Sequence, residues 1–342
     1  MKLYDVTIGI PIYNSVSCIR ASLMSALAQS YPSVEFVLVD DCCNDGTFDV
    51  IDYIVSSHDR CDDIRIIKHS HKLGASGSRN QIIDEAKGEY LYFMDSDDTI
   101  AVNTIELLML NARKYEAEIV FGSYQKIETS GNKIVYQYPS KLLLTKDELA
   151  SFAYRKYAGI QASACNYIVK TDILRTKNHR FIDVSYWEDL VFTFDLVTLV
   201  SRAVLLPDIT YTYVCRDNSL SHYQERINIS KAEVFRNVEA VNHLKDTSAL
   251  LYDKVYFPNR CYNIVMTDFY IASSILKRRK TIIPYISDDE IKVIMKHPAT
   301  WRQICSFRQS RLKNQLLFVI GKMPTKICVA IVWCLGKYKK LI

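Results

Sequence analysis

Three carboxylates crowd into four positions at Asp95, Asp97 and Asp98, directly after the apolar run Leu91-Tyr92-Phe93-Met94. Like charges that close repel, and something positive normally compensates them. A divalent metal holding a polyphosphate is one such partner, so hard-ion coordination is the chemistry these residues could do. The preceding run is short, aromatic-rich and continuously apolar, which predicts a buried strand. The acids then stand at its C-terminal end, which faces the ligand crevice in open α/β sheets. An isolated Asp-x-Asp, by contrast, reads as a solvated turn ahead of a helix N-terminus, where Asp is favoured anyway. The elements around it decide between the two.

The spacing predicts a first strand over residues 6–10, with Pro11 marking where it leaves its sheet. A helix follows, capped by Ser15 or Ser17, with Ile19, Leu23, Ala26 and Leu27 on one face. Residues 34–39 form a second buried strand ending in Asp40-Asp41, and Asn44-Asp45-Gly46 is turn chemistry with Thr47 placed to cap the next helix. Residues 64–67 form a third strand. The loop Gly74-Ala75-Ser76-Gly77-Ser78-Arg79-Asn80 opens a helix with Ile82, Ile83 and Ala86 inward, and Gly88 stops it. The order β-α-β-α-β-α-β predicts a mostly parallel sheet flanked by helices. In such a sheet the polar stretches at residues 11–14, 40–41, 79–80 and 95–98 share one edge. The first strand runs into Pro-Ile-Tyr-Asn rather than a glycine-rich turn, which argues against a nicotinamide cofactor. The same absence of a Gly-rich, Lys-containing phosphate loop argues against a nucleotidyltransferase.

In order and spacing, four motifs resemble the family 2 inverting glycosyltransferases of GT-A fold, of bacterial surface-polysaccharide type. They are Ile10-Pro11-Ile12-Tyr13-Asn14, Val39-Asp40-Asp41-Cys42-Cys43-Asn44-Asp45-Gly46-Thr47, Gly74 to Asn80 with Ala86-Lys87-Gly88-Glu89-Tyr90, and Met94-Asp95-Ser96-Asp97-Asp98. The resemblance is close over residues 5–125 and looser to about 225. Where the family usually has Gly and then Ser after the Asp-Asp pair, this chain has Cys42 and Cys43. The resemblance implies that Pro11, Tyr13 and Asn14 line a nucleoside pocket, Tyr13 by stacking. It implies that Asp41, with Asp40 second, accepts the uracil imide hydrogen, and that Arg79 pairs with the diphosphate or the base. Asp95 would lie near the ribose or metal, Ser96 in the same nucleotide-sugar pocket, and Asp97 on the metal. The donor would be a UDP-sugar and the metal Mn2+ or Mg2+, which oxygen ligands suit. Asp98 is free to cap the helix that follows.

The middle of the chain offers one more acidic pair. Glu188 and Asp189 open an apolar helix that runs from Leu190 through Val200. Helix-dipole complementarity explains such a pair by itself. Inverting transfer needs a carboxylate to take the acceptor hydroxyl's proton, and the family's Glu-Asp pair falls at this point. The resemblance therefore implies Asp189 as base and Glu188 as its neighbour, with Trp187 placed to stack on an acceptor sugar. It also implies a phosphate contact for Arg216 and makes His222 a candidate metal ligand, although a lone His is more often structural.

Composition limits the alternatives. A net charge of +5 is too mild to point to nucleic acid. The ten cysteines follow no zinc-type spacing, which suits reduced thiols in a reducing cytoplasm. There is no signal-peptide pattern at Met1 and no clean 18-residue apolar span. Basic residues 277–280, then apolar runs over 316–320 and 327–335 flanked by Lys, Arg, Trp and Tyr, suit interfacial helices at the inner face of an anionic membrane. A buried helical cap is the competing reading. The expected layout is a GT-A catalytic domain over 1–225 (a nucleotide-sugar half to 125 and an acceptor half from 126), then a helical C-terminal region over 226–342. The expected activity is sugar transfer from a UDP-sugar to a glycan or a polyprenyl-diphosphate-linked acceptor. A non-catalytic carbohydrate- or membrane-binding module on a degenerate transferase fold is the competitor, and the intact acids argue against it.

Overall fold

A computed structural model describes residues 3–155, 159–184, 187–216 and 229–342. The chain divides into two compact units. The described residues of the first fall within 1–149, 163–183 and 198–221; those of the second fall within 150–162, 184–197 and 222–342.

The first unit opens with β1 (Tyr4–Ile12), α1 (Ile19–Leu27), β2 (Val34–Asp40), α2 (Thr47–Val55), β3 (Ile64–Lys68), α3 (Gly74–Glu85) and β4 (Gly88–Phe93). Then come β5 (Thr99–Ile100), α4 (Thr104–Tyr115), β6 (Ile119–Ile127), β7 (Lys133–Tyr136) and β8 (Lys141–Leu143). The chain continues through α5 (Glu148–Arg155), β9 (Tyr167–Lys170), α6 (Thr171–Thr176), α7 (Glu188–Leu196) and β10 (Ala203–Val214). The sheet order is β3-β2-β1-β4-β9-β6-β10-β5, with β7 on β6 and β8 on β10. Strands β3, β2, β1 and β4 are parallel, as the alternation of strand and helix predicts. Beyond β4 the sheet is mixed: β9 runs antiparallel to both β4 and β6, and β10 parallel to β6. All of β2 is buried, Glu35 included, and the rest of the strand up to Val39 reads as an apolar run.

Several local expectations are corrected. Pro11 does not end β1; it pairs with Val39 and the strand continues to Ile12. β4 flanks β1 only as far as Gly9, so at Pro11 the strand has a partner on one side alone and a missing N–H is tolerated. Neither Ser15 nor Ser17 caps α1, whose N-cap is Cys18 without a side-chain cap bond. The N-cap of α2 is Gly46, and Thr47 Oγ1 instead accepts the Ser15 N–H at 2.8 Å.

In the second unit, β11 (Ile229–Ser230) leads into α8 (Lys231–Ser248), followed by α9 (Phe257–Arg278), β12 (Ile282–Ile283), α10 (Asp288–Ile294), α11 (Trp301–Ser306), α12 (Arg311–Lys322) and α13 (Thr325–Tyr338). Ser230 with Glu233 forms a full capping box on α8, Ser287 with Glu290 one on α10, and Thr300 with Gln303 one on α11. Phe257, Cys261, Ala299, Ile304 and Phe307 form one core cluster here. The apolar runs of α12 and α13 are divided. Leu317, Ile320, Cys328, Val329 and Val332 are buried, while Leu312, Leu316, Val319, Ile327 and Trp333 are exposed. Among the described residues, no helix is long and apolar enough to cross a membrane.

Candidate active site

The strand β4 packs Tyr90, Leu91, Tyr92 and Phe93 into the core and then releases its chain into the acidic turn. Asp98 turns inward and is 1% exposed. Its Oδ2 accepts the Tyr211 hydroxyl at 2.6 Å and its Oδ1 accepts the Val214 N–H at 2.9 Å, both from β10. It does not cap α4, which starts only at Thr104 behind Asn103. The Tyr211 oxygen also accepts the Asp95 N–H at 3.3 Å, so one phenol holds both ends of the turn.

The other two acids each face a guanidinium group. Asp95 Oδ1 accepts Arg79 Nη2 at 2.9 Å, and Arg79 is nearly buried on α3, over the Phe181 ring. Asp97 accepts from Arg216 Nη2, while Arg216 Nη1 lies 3.0 Å from Cys18 Sγ. Two cations do not balance three acids at this spacing. Burial, then Asp95, push the Asp97 carboxyl above the usual range, against the opposing pull of Arg216. Burial and the two neighbouring acids push Asp98 up to about 8. Burial lowers Arg216, but the charge and hydrogen bond of Asp97, with Cys18 and Asp98, together raise it.

One oxygen from each acid can be chosen so that all three lie within 4.8 Å of one another. An all-oxygen donor set of crowded carboxyl groups fits a hard divalent cation. Asp97 and Asp95 are the residues that would hold it, since both Asp98 oxygens are engaged by β10.

The neighbouring strand ends are tied into a second set. Asn14, in the left-handed region at φ 46°, accepts the Asn44 N–H at 3.0 Å and donates its own N–H to Cys43 Sγ at 3.3 Å. Asp40 accepts the Cys43 N–H at 2.8 Å. Asp41 accepts from Leu73 N at 2.7 Å and Gly74 N at 2.8 Å, and lies 2.9 Å from His69 Nδ1. In this arrangement Asp41 braces the loop that opens α3. That loop carries Lys72, whose Nζ sits 3.4 Å above the centre of the half-exposed Tyr13 ring. Sequence reasoning missed Lys72; a lone lysine in a polar loop carries no local signal of its partner. The Ser15 and Ser96 hydroxyls, 2.8 Å apart, link this set to the acidic turn.

The structure thus gathers Asp95, Ser96, Asp97, Arg79 and Arg216 into one cluster of the first unit, next to Pro11, Tyr13, Asn14, Asp40 and Asp41. Glu188 and Asp189 form the first turn of α7 and belong to the second unit. His222 lies outside the described residues.

The half-parallel α/β sheet, with a carboxylate cluster at the end of β4, is a fold of GT-A type. Residues 7–170, just under half of the chain, match the family described as Glycosyl transferase family 2. It is 26% identical over 221 residues to Glycosyltransferase GlyG of Streptococcus pneumoniae, covering 63% of this chain and 72% of GlyG. It is 32% identical over 168 residues to the UDP-Glc:alpha-D-GlcNAc-diphosphoundecaprenol beta-1,3-glucosyltransferase WfaP of Escherichia coli, covering 48% of this chain and 59% of WfaP. Among solved structures, TarS of S. aureus in complex with UDP-GlcNAc superposes with a TM-score of 0.57 at 16% identity, over 93% of this chain and 90% of TarS. At that identity the likeness is one of fold.

Proposed function

We propose that this glycosyltransferase moves a sugar, with inversion, from a UDP-sugar to a polyprenyl-diphosphate-linked acceptor in surface-polysaccharide synthesis. The observation that carries the reading is the surplus of carboxylate at the end of β4, with Arg79 and Arg216 beside it. The donor class is supported by WfaP, whose name gives UDP-Glc as donor and a diphosphoundecaprenol-linked sugar as acceptor. Tyr13, with Lys72 above it, offers a ring face and a positive charge to the nucleotide. Arg79 and Arg216 are placed to exchange their carboxylate partners for diphosphate oxygens. Bound at Asp97 and Asp95, with His222 a further candidate ligand, Mn2+ or Mg2+ would act as a Lewis acid on the departing diphosphate. Asp189 takes the proton of the acceptor hydroxyl as that oxygen bonds to the anomeric carbon and the bond to UDP breaks. It stands in the first turn of α7, at the positive end of the helix dipole. The exposed apolar residues of α12 and α13, interleaved with Lys and Arg, support peripheral contact with an anionic membrane.

The test is UDP release from a panel of UDP-sugars with Mn2+ or Mg2+, with and without a lipid-linked acceptor. Asp97→Ala is expected to slow release by about 100-fold or more. Asp189→Asn is expected to slow acceptor-dependent transfer by a similar factor while leaving UDP affinity intact. Wild-type rates in both variants would sink the reading.

A further inference from the structure

The second unit contains a cavity of about 370 Å³ that none of these roles uses. Its walls include Trp187, Ile229, Val234, Ile271, Ile275 and Ile282. The isoleucines and Val234 are buried and make an apolar wall, alongside the polar Asn237, Tyr270 and Ser274. Lys277 and Arg278, in the last turn of α9, also line it. Among the described residues neither side chain makes an ion pair or a hydrogen bond. The next residue shows the contrast: Arg279 reaches Asp288 at 2.5 Å and the Ile286 carbonyl at 3.0 Å. Two uncommitted cations beside an apolar chamber match neither a purely apolar ligand nor a small anion. They match an amphiphile with an anionic head and a hydrocarbon tail.

Trp187 fixes where that ligand would lie. It is the N-cap of α7 and stands in the left-handed region at φ 67°, which costs a bulky residue conformational energy. It lines the cavity and directly precedes Glu188 and Asp189. We propose that this cavity holds the diphosphate and the first isoprenyl units of the lipid-linked acceptor. Lys277 and Arg278 take the diphosphate, the apolar wall takes the isoprenyl units, and the attached sugar extends past Trp187 toward Asp189. The volume falls in the range of about 300–1,000 Å³ usual for small-molecule sites. A long polyprenyl chain would leave the cavity after its first units. The proposal rests on the lipid-linked acceptor reading above.

Isothermal titration of the full chain with farnesyl diphosphate, below its micellar concentration, tests it. Inorganic pyrophosphate and farnesol serve as probes of head and tail alone. Farnesyl diphosphate is expected to bind saturably and more tightly than either. The double variant Lys277→Gln/Arg278→Gln is expected to weaken it about tenfold or more, and Trp187→Ala severalfold. Melting temperature and UDP affinity report that each variant is folded. No saturable binding to wild type, an unchanged Kd in the folded double variant, or pyrophosphate binding as tightly as farnesyl diphosphate would each overturn the site. Transfer to a lipid-linked acceptor is measured separately. Farnesyl diphosphate binding without such transfer supports the cavity and removes the acceptor reading. Transfer with an unchanged acceptor KM in the double variant does the reverse.

Discussion

At the end of β4, three carboxylates meet two guanidinium groups; in the second unit, buried charges meet one for one. Arg260 on α9 is fully buried, and every direction of its guanidinium finds an acceptor. Asp195 lies at 2.6 Å, the Tyr154 hydroxyl at 2.7 Å, Ser248 at 2.8 Å and Thr247 at 2.9 Å. Lys245 pairs with the wholly buried Asp268 at 2.8 Å and also donates to the Ile294 carbonyl. The acids of the first unit are different, because Asp95 and Asp97 keep 28% and 21% of their side-chain surface. Carboxyl groups that outnumber their cations, left partly open to solvent, are poised to receive a cationic ligand. A charge-balanced set of buried pairs is already complete, and its work is to fix the helices that carry it. Asp195 belongs to α7, so Arg260 anchors the helix whose first turn bears Glu188 and Asp189.

Removing one member of each cluster should separate these roles. Arg260→Ala strips Asp195 and the Tyr154 hydroxyl of their buried cation, and the expected cost is about 3–5 kcal/mol of stability. Urea denaturation would read this as a lower midpoint. Asp97→Ala relieves repulsion within the acidic turn, so it should shift that midpoint little while it abolishes most UDP release. Equal destabilisation by the two substitutions would erase the distinction between site and scaffold.

The same contrast explains what could be read from the sequence. Capping boxes are local, so a pair such as Ser230 with Glu233 can be read directly from the sequence. The four-strand parallel run was legible because each strand is a distinct apolar block between helices. Asp98 was not legible, because its partners Tyr211 and Val214 lie more than a hundred residues away and a local reading could offer only a helix cap. Ser15 failed as a cap for the same reason: its hydroxyl is drawn to Ser96 by the folded sheet. Pro11 misled because an unpaired strand side depends on where the neighbouring strand stops. In the second unit, Arg260, Lys245 and Asp268 sit within helices where a charge reads as a solvated face, and nothing local marks them as buried. The acidic turn could be singled out because its repulsion is itself local.

A second way to probe the balanced network is pH. Burial raises Asp268 to about 7, partly opposed by Lys245, against an ordinary carboxyl value near 4 when unfolded. A raised folded pKa gives stability that is complete below about pH 4 and is lost as pH rises through about 7. The slope in that window is at most about 1.4 kcal/mol per pH unit for one proton. Asp268→Asn should flatten the profile between pH 4 and 7 by that component. The acidic turn shifts in the same direction, so the difference between the wild-type and Asp268→Asn curves is the quantity to measure. Parallel curves would mean that Lys245 holds Asp268 ionised throughout.

The smallest expected effect concerns the loop beside the acidic turn. Cys42 occupies φ 67°, a left-handed conformation that glycine adopts freely and a side chain does not. The resemblance to related motifs placed a glycine at this position, and the backbone has kept the conformation that glycine would have. What the thiol returns is a weak contact, Sγ to the His69 carbonyl at 3.4 Å. Cys42→Gly should therefore relieve strain while raising the entropy of the unfolded chain, two terms of about 1 kcal/mol each and opposite sign. The urea midpoint should barely move, and UDP affinity should hold, because the Asp41 brace to Leu73, Gly74 and His69 does not use the Cys42 side chain. A large loss of UDP affinity in Cys42→Gly would show that the thiol, rather than the backbone path, sets this loop against the nucleotide.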